Sequence, residues 1–526
     1  MFIAALIIGI LAYAILGAGL LGILYPWVLC LLGLAFLGFV IFYTVKHWSQ
    51  LRTFILDLKP ETTLDYFLML MLLVFALIHL MGVLAPEIFF DALWYHLTLP
   101  KLYLAKHTFS FIPGDLYYYS AMPQLGEMLY TLGLVIGGQL GARLWHFLFG
   151  ILTTLAIYIF GSKHLSKRAG LVAALLFISD LAVAWLITTA YIDLARTFFE
   201  FLAFFYFYNW YQERRDSDLF KSSLLIGLGV ATKYFGLVSL GIIGFLVLIS
   251  ATKKRVAKTF LVVGPALLIS SIWFVRAYLL TGYPFYPLFS GILSSWHDFI
   301  LYGPWEYLTD FFKLSNLPTD WISPISPLYI ALLPFSLCVL RAQKKWRIIA
   351  WYCLLAYTAW FLIPRTGGSR FMVPYLPAFA LLASLPFAVS KQLSKTWQSL
   401  ILALILAVVG FNGLLRVYIN AKTLPLILGQ KTSHQYLLEN LDLTNAFYDT
   451  DDFLAKTIKD SDLVCFEGGQ NLFYVDFPYV HESYQTNEVC DYVLVQYQDL
   501  DSKYENRVKF IYENQKNHIK LYKLTK

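Results

Sequence analysis

The string Glu87-Ile-Phe-Phe-Asp91-Ala-Leu-Trp94-Tyr95-His96-Leu-Thr-Leu-Pro100-Lys101 is the densest cluster of ionisable and aromatic side chains in the chain, and it follows Pro86 at the end of an apolar run. A carboxylate a few residues beyond such a run, set among Trp94, Tyr95 and His96, suits recognition of a sugar or lipid headgroup and removal of a proton from an incoming hydroxyl. An aromatic belt carrying incidental charge would read the same way. The loop continues through Tyr117-Tyr-Tyr-Ser-Ala-Met-Pro-Gln-Leu-Gly-Glu127, longer than a connection needs to be. His96 and Glu127 could act on substrate, or be hydrogen-bonded structural groups. Asp193, Arg196 and Glu200 share one helical face. An intrahelical ion pair with an N-terminal cap accounts for them. So does a place for Asp193 opposite Asp91, as an acceptor-orienting group or as the second carboxylate of a metal site. Lys233, Arg276, Arg365 and Arg370 are the cations that could stabilise a departing phosphate, with snorkelling to headgroups as the competing explanation. Arg143, His146 and Asp180 fall inside apolar runs, where charge needs a partner, and read as an interhelical structural network or as a proton relay. The aromatic segment 281–321 reads as a second exterior wall or as interfacial padding.

The elements that must position these groups are membrane helices. Of 526 residues, 59% are hydrophobic and 14% charged, too little charge for a soluble domain. Twelve apolar blocks, from 2–23 to 398–416, have the length of a helical crossing, which excludes a strand-built barrel. No Lys or Arg precedes Lys46, so residues 1–24 are expected to stay as a first helix rather than be cleaved as a signal. Alternate connections, assigned to the cytoplasm, hold 19 Lys and Arg, against 5 on the other side. The net charge of +7 is therefore topological, and no nucleic-acid partner is expected. Basic clusters flank both ends of 222–250, so this block must cross an even number of times. The predicted bend is Gly229-Val-Ala-Thr-Lys233-Tyr-Phe-Gly236.

The expected architecture is an α-helical polytopic membrane protein of about 13 helices with a small C-terminal extracytoplasmic α/β domain. Its parts are an N-terminal helical hairpin (1–45), a transmembrane catalytic domain (46–416) with exterior loop 86–131, and the α/β domain (417–526), with the N-terminus cytoplasmic. In the last part, 491–497 and 516–524 alternate like strands, while 433–441 and 453–460 read as helices, the first capped by Ser433. Of five cysteines, Cys465 and Cys490 are the two that could pair.

In order and membrane placement, several fragments resemble the GT-C superfamily of polyprenyl-phosphate-sugar-dependent glycosyltransferases, notably bacterial relatives of protein O-mannosyltransferases and of the lipid A aminoarabinose transferase. The fragments are Asp91 in a long first exterior loop, Tyr95-His96-Leu97 to Pro100-Lys101, Thr188-Thr-Ala-Tyr-Ile-Asp193-Leu, Gly229 to Lys233, Gly282-Tyr-Pro-Phe-Tyr-Pro287 and Arg370-Phe-Met-Val-Pro-Tyr-Leu-Pro377. The resemblance spans residues 60–440. It implies Asp91 as catalytic base, in inverting transfer of a monosaccharide from a polyprenyl-phosphate donor to an extracytoplasmic lipid, glycan or protein acceptor. Tyr95, His96, Lys101, Glu127, Asp193, Lys233, Arg276 and Arg370 are then the expected substrate-binding residues, and membrane lipids the surroundings. Such enzymes often carry a second acidic residue where this chain has Ala92, so a divalent cation on Asp91 and Asp193 stays an open expectation, with no other cofactor. Two other classes fit the bulk features. A glycan polymerase or ligase using a lipid-pyrophosphate oligosaccharide usually places its large loop late in the chain. For a lipid or solute transporter or flippase, the chain shows no internal repeat.

Overall fold

In a computed structural model, the protein is described over residues 1–525 apart from 289, 291–302, 314–323, 363–367, 390–392, 485–487 and 506. Arg365, one of the candidate cations, lies outside the described residues. Hydrocarbon offers backbone groups no partner, so apolar runs close their hydrogen bonds internally as helices. Among the described residues seven helices are long and apolar enough to cross a membrane: Phe2–Leu20, Pro26–Lys46, Thr63–Val83, Leu125–His164, Arg255–Thr281, Gly368–Phe387 and Lys395–Ala421. The second of these exposes Leu31, Leu34, Leu37 and Phe42, an apolar surface suited to lipid. By contrast, Lys167–Ile178 and Asp193–Glu213 are buried along almost their whole length and form the centre. The protein is thus a multi-pass membrane protein.

The block 222–250 is a hairpin of Asp216–Thr232 and Gly236–Ser250. Ser223 on the first arm donates to the Val262 carbonyl, and Gly244 on the second lies against Val263, so both arms run beside the same level of Arg255–Thr281. Tyr234, at the tip, packs on Phe274 near the far end of that helix. Lys233 adopts extended backbone and ends the first arm. A Cβ on Gly236 would stand 2.7 Å from the Val230 backbone, so the reversal is this tight only with glycine there.

A second break interrupts Leu125–His164. Within Leu125–His164 the backbone leaves helical geometry at Gly137 and Gly138, the latter at φ +57, a conformation that costs glycine little. Gly141 consequently packs against the Gly133 carbonyl, and residues 125–136 form a separate arm that carries Glu127. In the first loop, Ala92–His96 is a π-turn and Thr98–Lys106 a helix.

One buried ion pair ties these pieces together. Arg196 Nε lies 2.5 Å from Glu200 Oε1, and Ser239 on the second hairpin arm donates to Glu200 Oε2. The same guanidinium donates to the Phe235 carbonyl at the hairpin tip and to the Tyr375 hydroxyl, both at 3.3 Å. Tyr375 ends the 3-10 helix Gly368–Tyr375, so Arg196 holds both the Lys233 turn and the segment bearing Arg370.

The C-terminal part contains a five-stranded sheet of order β2-β1-β3-β5-β4, made of β1 (Val464–Gly468), β2 (Tyr479–His481), β3 (Tyr492–Gln496), β4 (Val508–Asn514) and β5 (Ile519–Leu524). β1 runs parallel to β2 and β3, and β5 antiparallel to β3 and β4. β3 is central and buried throughout. Cys465 and Cys490 are bridged, with Cα atoms 5.6 Å apart. The helix Ser433–Asn440 is capped by Thr432, whose side chain accepts from the Gln435 amide, one residue earlier than the expected Ser433 cap. The second expected helix spans Phe453–Thr457.

Two stability experiments follow from this packing. Glu200→Gln leaves the Arg196 charge without its buried partner and should cost about 3 kcal/mol in a detergent unfolding titration, whereas Arg196→Met with Glu200→Leu should recover most of it. His481 Nδ1 accepts from the Ser483 amide while Nε2–H donates to the Gly468 carbonyl, and burial lowers its pKa from 6.5. The folded form therefore prefers neutral imidazole: its contribution is complete above the unfolded pKa and declines as the pH falls from 6.5 towards the lower folded value. Thermal melts at pH 7.5 and 5.5 should show a drop that His481→Gln reduces.

Candidate active site

Asp91 stands immediately before the π-turn, where Leu97 N–H reaches back to the Ala92 carbonyl over 2.9 Å. The extra residue per turn rotates Tyr95 and His96 inward, where both are buried. The Asp91 backbone amide donates to the Tyr191 hydroxyl over 3.2 Å. Its carboxylate meets Arg370 Nη1 at 2.7 Å, with 18% of the Asp91 side chain still exposed. Arg370 Nε also faces Asp193 Oδ2 at 3.9 Å. The other oxygen of Asp193 lies 3.3 Å from Lys233 Nζ, and the carboxylate itself is 1% exposed. Two carboxylates and two cations thus alternate across four segments: the first loop, the start of Asp193–Glu213, the hairpin tip and the 3-10 helix Gly368–Tyr375. Tyr191 and Phe371 lie under the Arg370 guanidinium, and Phe371 also faces Lys233.

Behind Asp91, His96 Nδ1 lies 2.7 Å from Glu127 Oε1. Burial and then the Lys233 charge hold the His96 imidazole well below its ordinary value, and burial pushes the Glu127 carboxyl up to about 8, so the hydrogen bond joins two groups driven towards their neutral forms. Tyr95 stacks on Tyr119 with ring centroids 3.6 Å apart. His146 fixes the start of Asp193–Glu213: its Nδ1–H donates to the Thr189 carbonyl and its Nε2 accepts from the Leu194 amide. The intrahelical pairing of Arg196 with Glu200 is present, but the Asp193 carboxylate turns to the cations instead of capping its helix. Asp180 accepts from the amides of Ala182, Val183 and Ser326.

Two expected substrate ligands lie elsewhere. Lys101 donates to the carbonyls of Phe473 and Val475 and meets Asp476 Oδ1 at 2.7 Å, so its ammonium holds the C-terminal part. Arg276 donates to the Ser120 carbonyl over 2.7 Å and lies over the Phe109 ring; it braces the aromatic loop, and its other terminal nitrogen has no hydrogen-bond partner among the described residues. Sequence reading also passed over Glu87. One of its oxygens accepts from the Ile88 and Phe89 amides and the other from the Ala190 amide, with Arg143 Nε 3.5 Å away. Arg143 additionally donates to the carbonyls of Gly82 and Thr188. The signal was a carboxylate directly after the membrane exit together with an arginine inside an apolar run, each of which needs a partner.

Among the described residues, no three His, Cys, Asp or Glu side chains converge as metal ligands. More decisive is that the Arg370 guanidinium stands between Asp91 and Asp193 and supplies the countercharge a divalent ion would bring. The residues do not fit a cation shared by these two carboxylates.

Residues 135–291 match the family model for dolichyl-phosphate-mannose-protein mannosyltransferase. No curated protein matches the chain in sequence. The crystal structure of ArnT from Cupriavidus metallidurans bound to undecaprenyl phosphate superposes with a TM-score of 0.58 at 13% identity, over 87% of this chain and 97% of that one. The apo structure of the same protein gives 0.59 at 11%, over 88% and 98%. The helical order found here is thus that of the ArnT fold over most of the chain, and residues 135–291 within it resemble the protein mannosyltransferase family.

Proposed function

We propose that the protein transfers a monosaccharide, with inversion, from a polyprenyl-phosphate-linked donor to an acceptor hydroxyl on the extracytoplasmic face. The observation that carries this reading is the partly exposed Asp91 carboxylate beside two cations, Arg370 and Lys233, which the buried Asp193 holds in place. Asp91 removes the acceptor proton as the acceptor oxygen bonds to the anomeric carbon. The bond from that carbon to the phosphate oxygen breaks, and its electron pair leaves with the polyprenyl phosphate. Arg370 and Lys233 stabilise the charge that develops there. Tyr95, His96 and Glu127 wall the sugar side. The undecaprenyl phosphate of the ArnT structure supports a lipid of this class as donor carrier. The charge asymmetry of the connections supports a cytoplasmic N-terminus and an exterior C-terminal domain.

With a radiolabelled polyprenyl-phosphate sugar and extracted envelope lipids and glycans as the acceptor pool, Asp91→Asn should lower turnover at least about 100-fold with the protein still folded. Retained turnover removes the base assignment. Lys233→Ala should raise the donor concentration for half-maximal rate or lower the rate about tenfold, and unchanged kinetics would return Lys233 to a structural role. For orientation, an alkaline phosphatase fused to the C-terminus should be active and a green fluorescent protein fused there dark; the opposite pattern inverts the topology.

A further inference from the structure

Among the described residues the C-terminal sheet domain touches the first loop at several places, Tyr117 against Tyr479 and Gly114 against the Ser483 carbonyl among them, and two of its attachments flank Asp91. Tyr474, in the turn between β1 and β2, donates to the Glu87 carbonyl over 2.6 Å and lies 3.0 Å from Gln139 Oε1. The same Gln139 oxygen accepts from the Glu87 amide over 2.8 Å. Lys101 grips the same turn from the other side through the Phe473 and Val475 carbonyls and Asp476. The turn is itself braced: Phe447 N–H donates to the Asn471 carbonyl, and the Cys465–Cys490 bridge fixes β1, from which it departs. Residues 473–476 are therefore a rigid clip, closed on Glu87 four positions before Asp91 and on Lys101 ten positions after it.

We infer that this clip is part of the catalytic apparatus, with Tyr474 and Lys101 as positioning residues that hold the carboxylate of Asp91 at its station. The route is short. Tyr474 orients Glu87, whose carboxylate gathers the amides of Ile88 and Phe89 and binds the Ala190 amide, and so locks the segment before Asp91 to the segment before Asp193. An exterior domain held only for acceptor capture would not need a buried-side hydroxyl donating into the backbone next to the base. The inference rests on the proposed role of Asp91 for its rate consequence, but not for its structural one.

The experiment uses full-length protein in lipid nanodiscs carrying Tyr474→Phe, which removes one hydroxyl and keeps the ring, or Lys101→Met. Hydrogen–deuterium exchange of peptides covering 86–92 should rise about three- to tenfold in either variant, while exchange at the hairpin tip, 229–238, and the thermal midpoint stay unchanged. Turnover should fall by a similar factor with the half-saturating donor concentration unchanged, and Lys101→Arg should restore part of what Lys101→Met loses. Unchanged exchange over 86–92, or raised exchange with wild-type turnover, overturns the inference. A thermal midpoint that falls together with exchange throughout the protein also overturns it, since that is general loosening. Wild-type protein inactive with every polyprenyl-phosphate sugar would count against the proposed function alone, and the exchange result then decides the clip by itself.

Discussion

The structure around the site is governed by the need to balance two carboxylates with two cations where water is scarce. Asp193 is almost fully enclosed, and a lone buried charge there would be costly. Its partners cannot come from its own helix, because Arg196 on that helix is bound to Glu200. They arrive instead from the hairpin tip as Lys233 and from the 3-10 helix as Arg370. Two of the breaks in the helical architecture serve this convergence. The hairpin at Lys233 exists so that a cation can stand at a tip, and the π-turn after Asp91 turns that carboxylate's neighbours inward.

Arg196 and Glu200 are the reason the convergence is stable. Both are buried with the pair closed, yet the guanidinium also binds the Phe235 carbonyl and the Tyr375 hydroxyl. The two cation-bearing segments are thus fixed to one group, and the distance between Lys233 and Arg370 is set from below rather than by their attraction to the carboxylates. The segments that carry the cations are therefore in place before an anion enters, as electrostatic stabilisation of a developing charge requires.

What could be read from the chain followed from forces that act locally. The membrane blocks show in composition. The hairpin was legible because basic clusters at both ends of 222–250 demand an even number of crossings, whatever the hydropathy. Asp91 and Lys233 stood out because ionisable groups at a membrane boundary are rare. The reversal at Gly137-Gly138 was not legible, since paired glycines also occur in straight membrane helices and only the contact of Gly133 with Gly141 distinguishes the cases. Lys101 was misleading for a related reason. A lysine among aromatics looks the same whether it awaits a phosphate or binds carbonyls of a turn some 370 residues later. The Glu87 to Tyr474 contact joins parts too distant in sequence for any spacing rule to connect.

The pairing of Arg370 with Asp91 bears on the proposed role of base, because the carboxylate must give up its charge to the acceptor proton while the guanidinium stays beside it. The charges of the proposed reaction resolve this. A polyprenyl-phosphate sugar is a phosphodiester with one negative charge, and the released polyprenyl phosphate is a monoester that gains another as the glycosidic bond breaks. Over the same interval Asp91 loses one negative charge by taking the acceptor proton. One unit of negative charge therefore moves from carboxylate to phosphate, and Arg370, in contact with Asp91 and tethered beside Asp193, is placed to follow it. In that reaction the ion pair is strongest when no substrate is present, and the cation that faces Asp91 at rest becomes one that stabilises the leaving group.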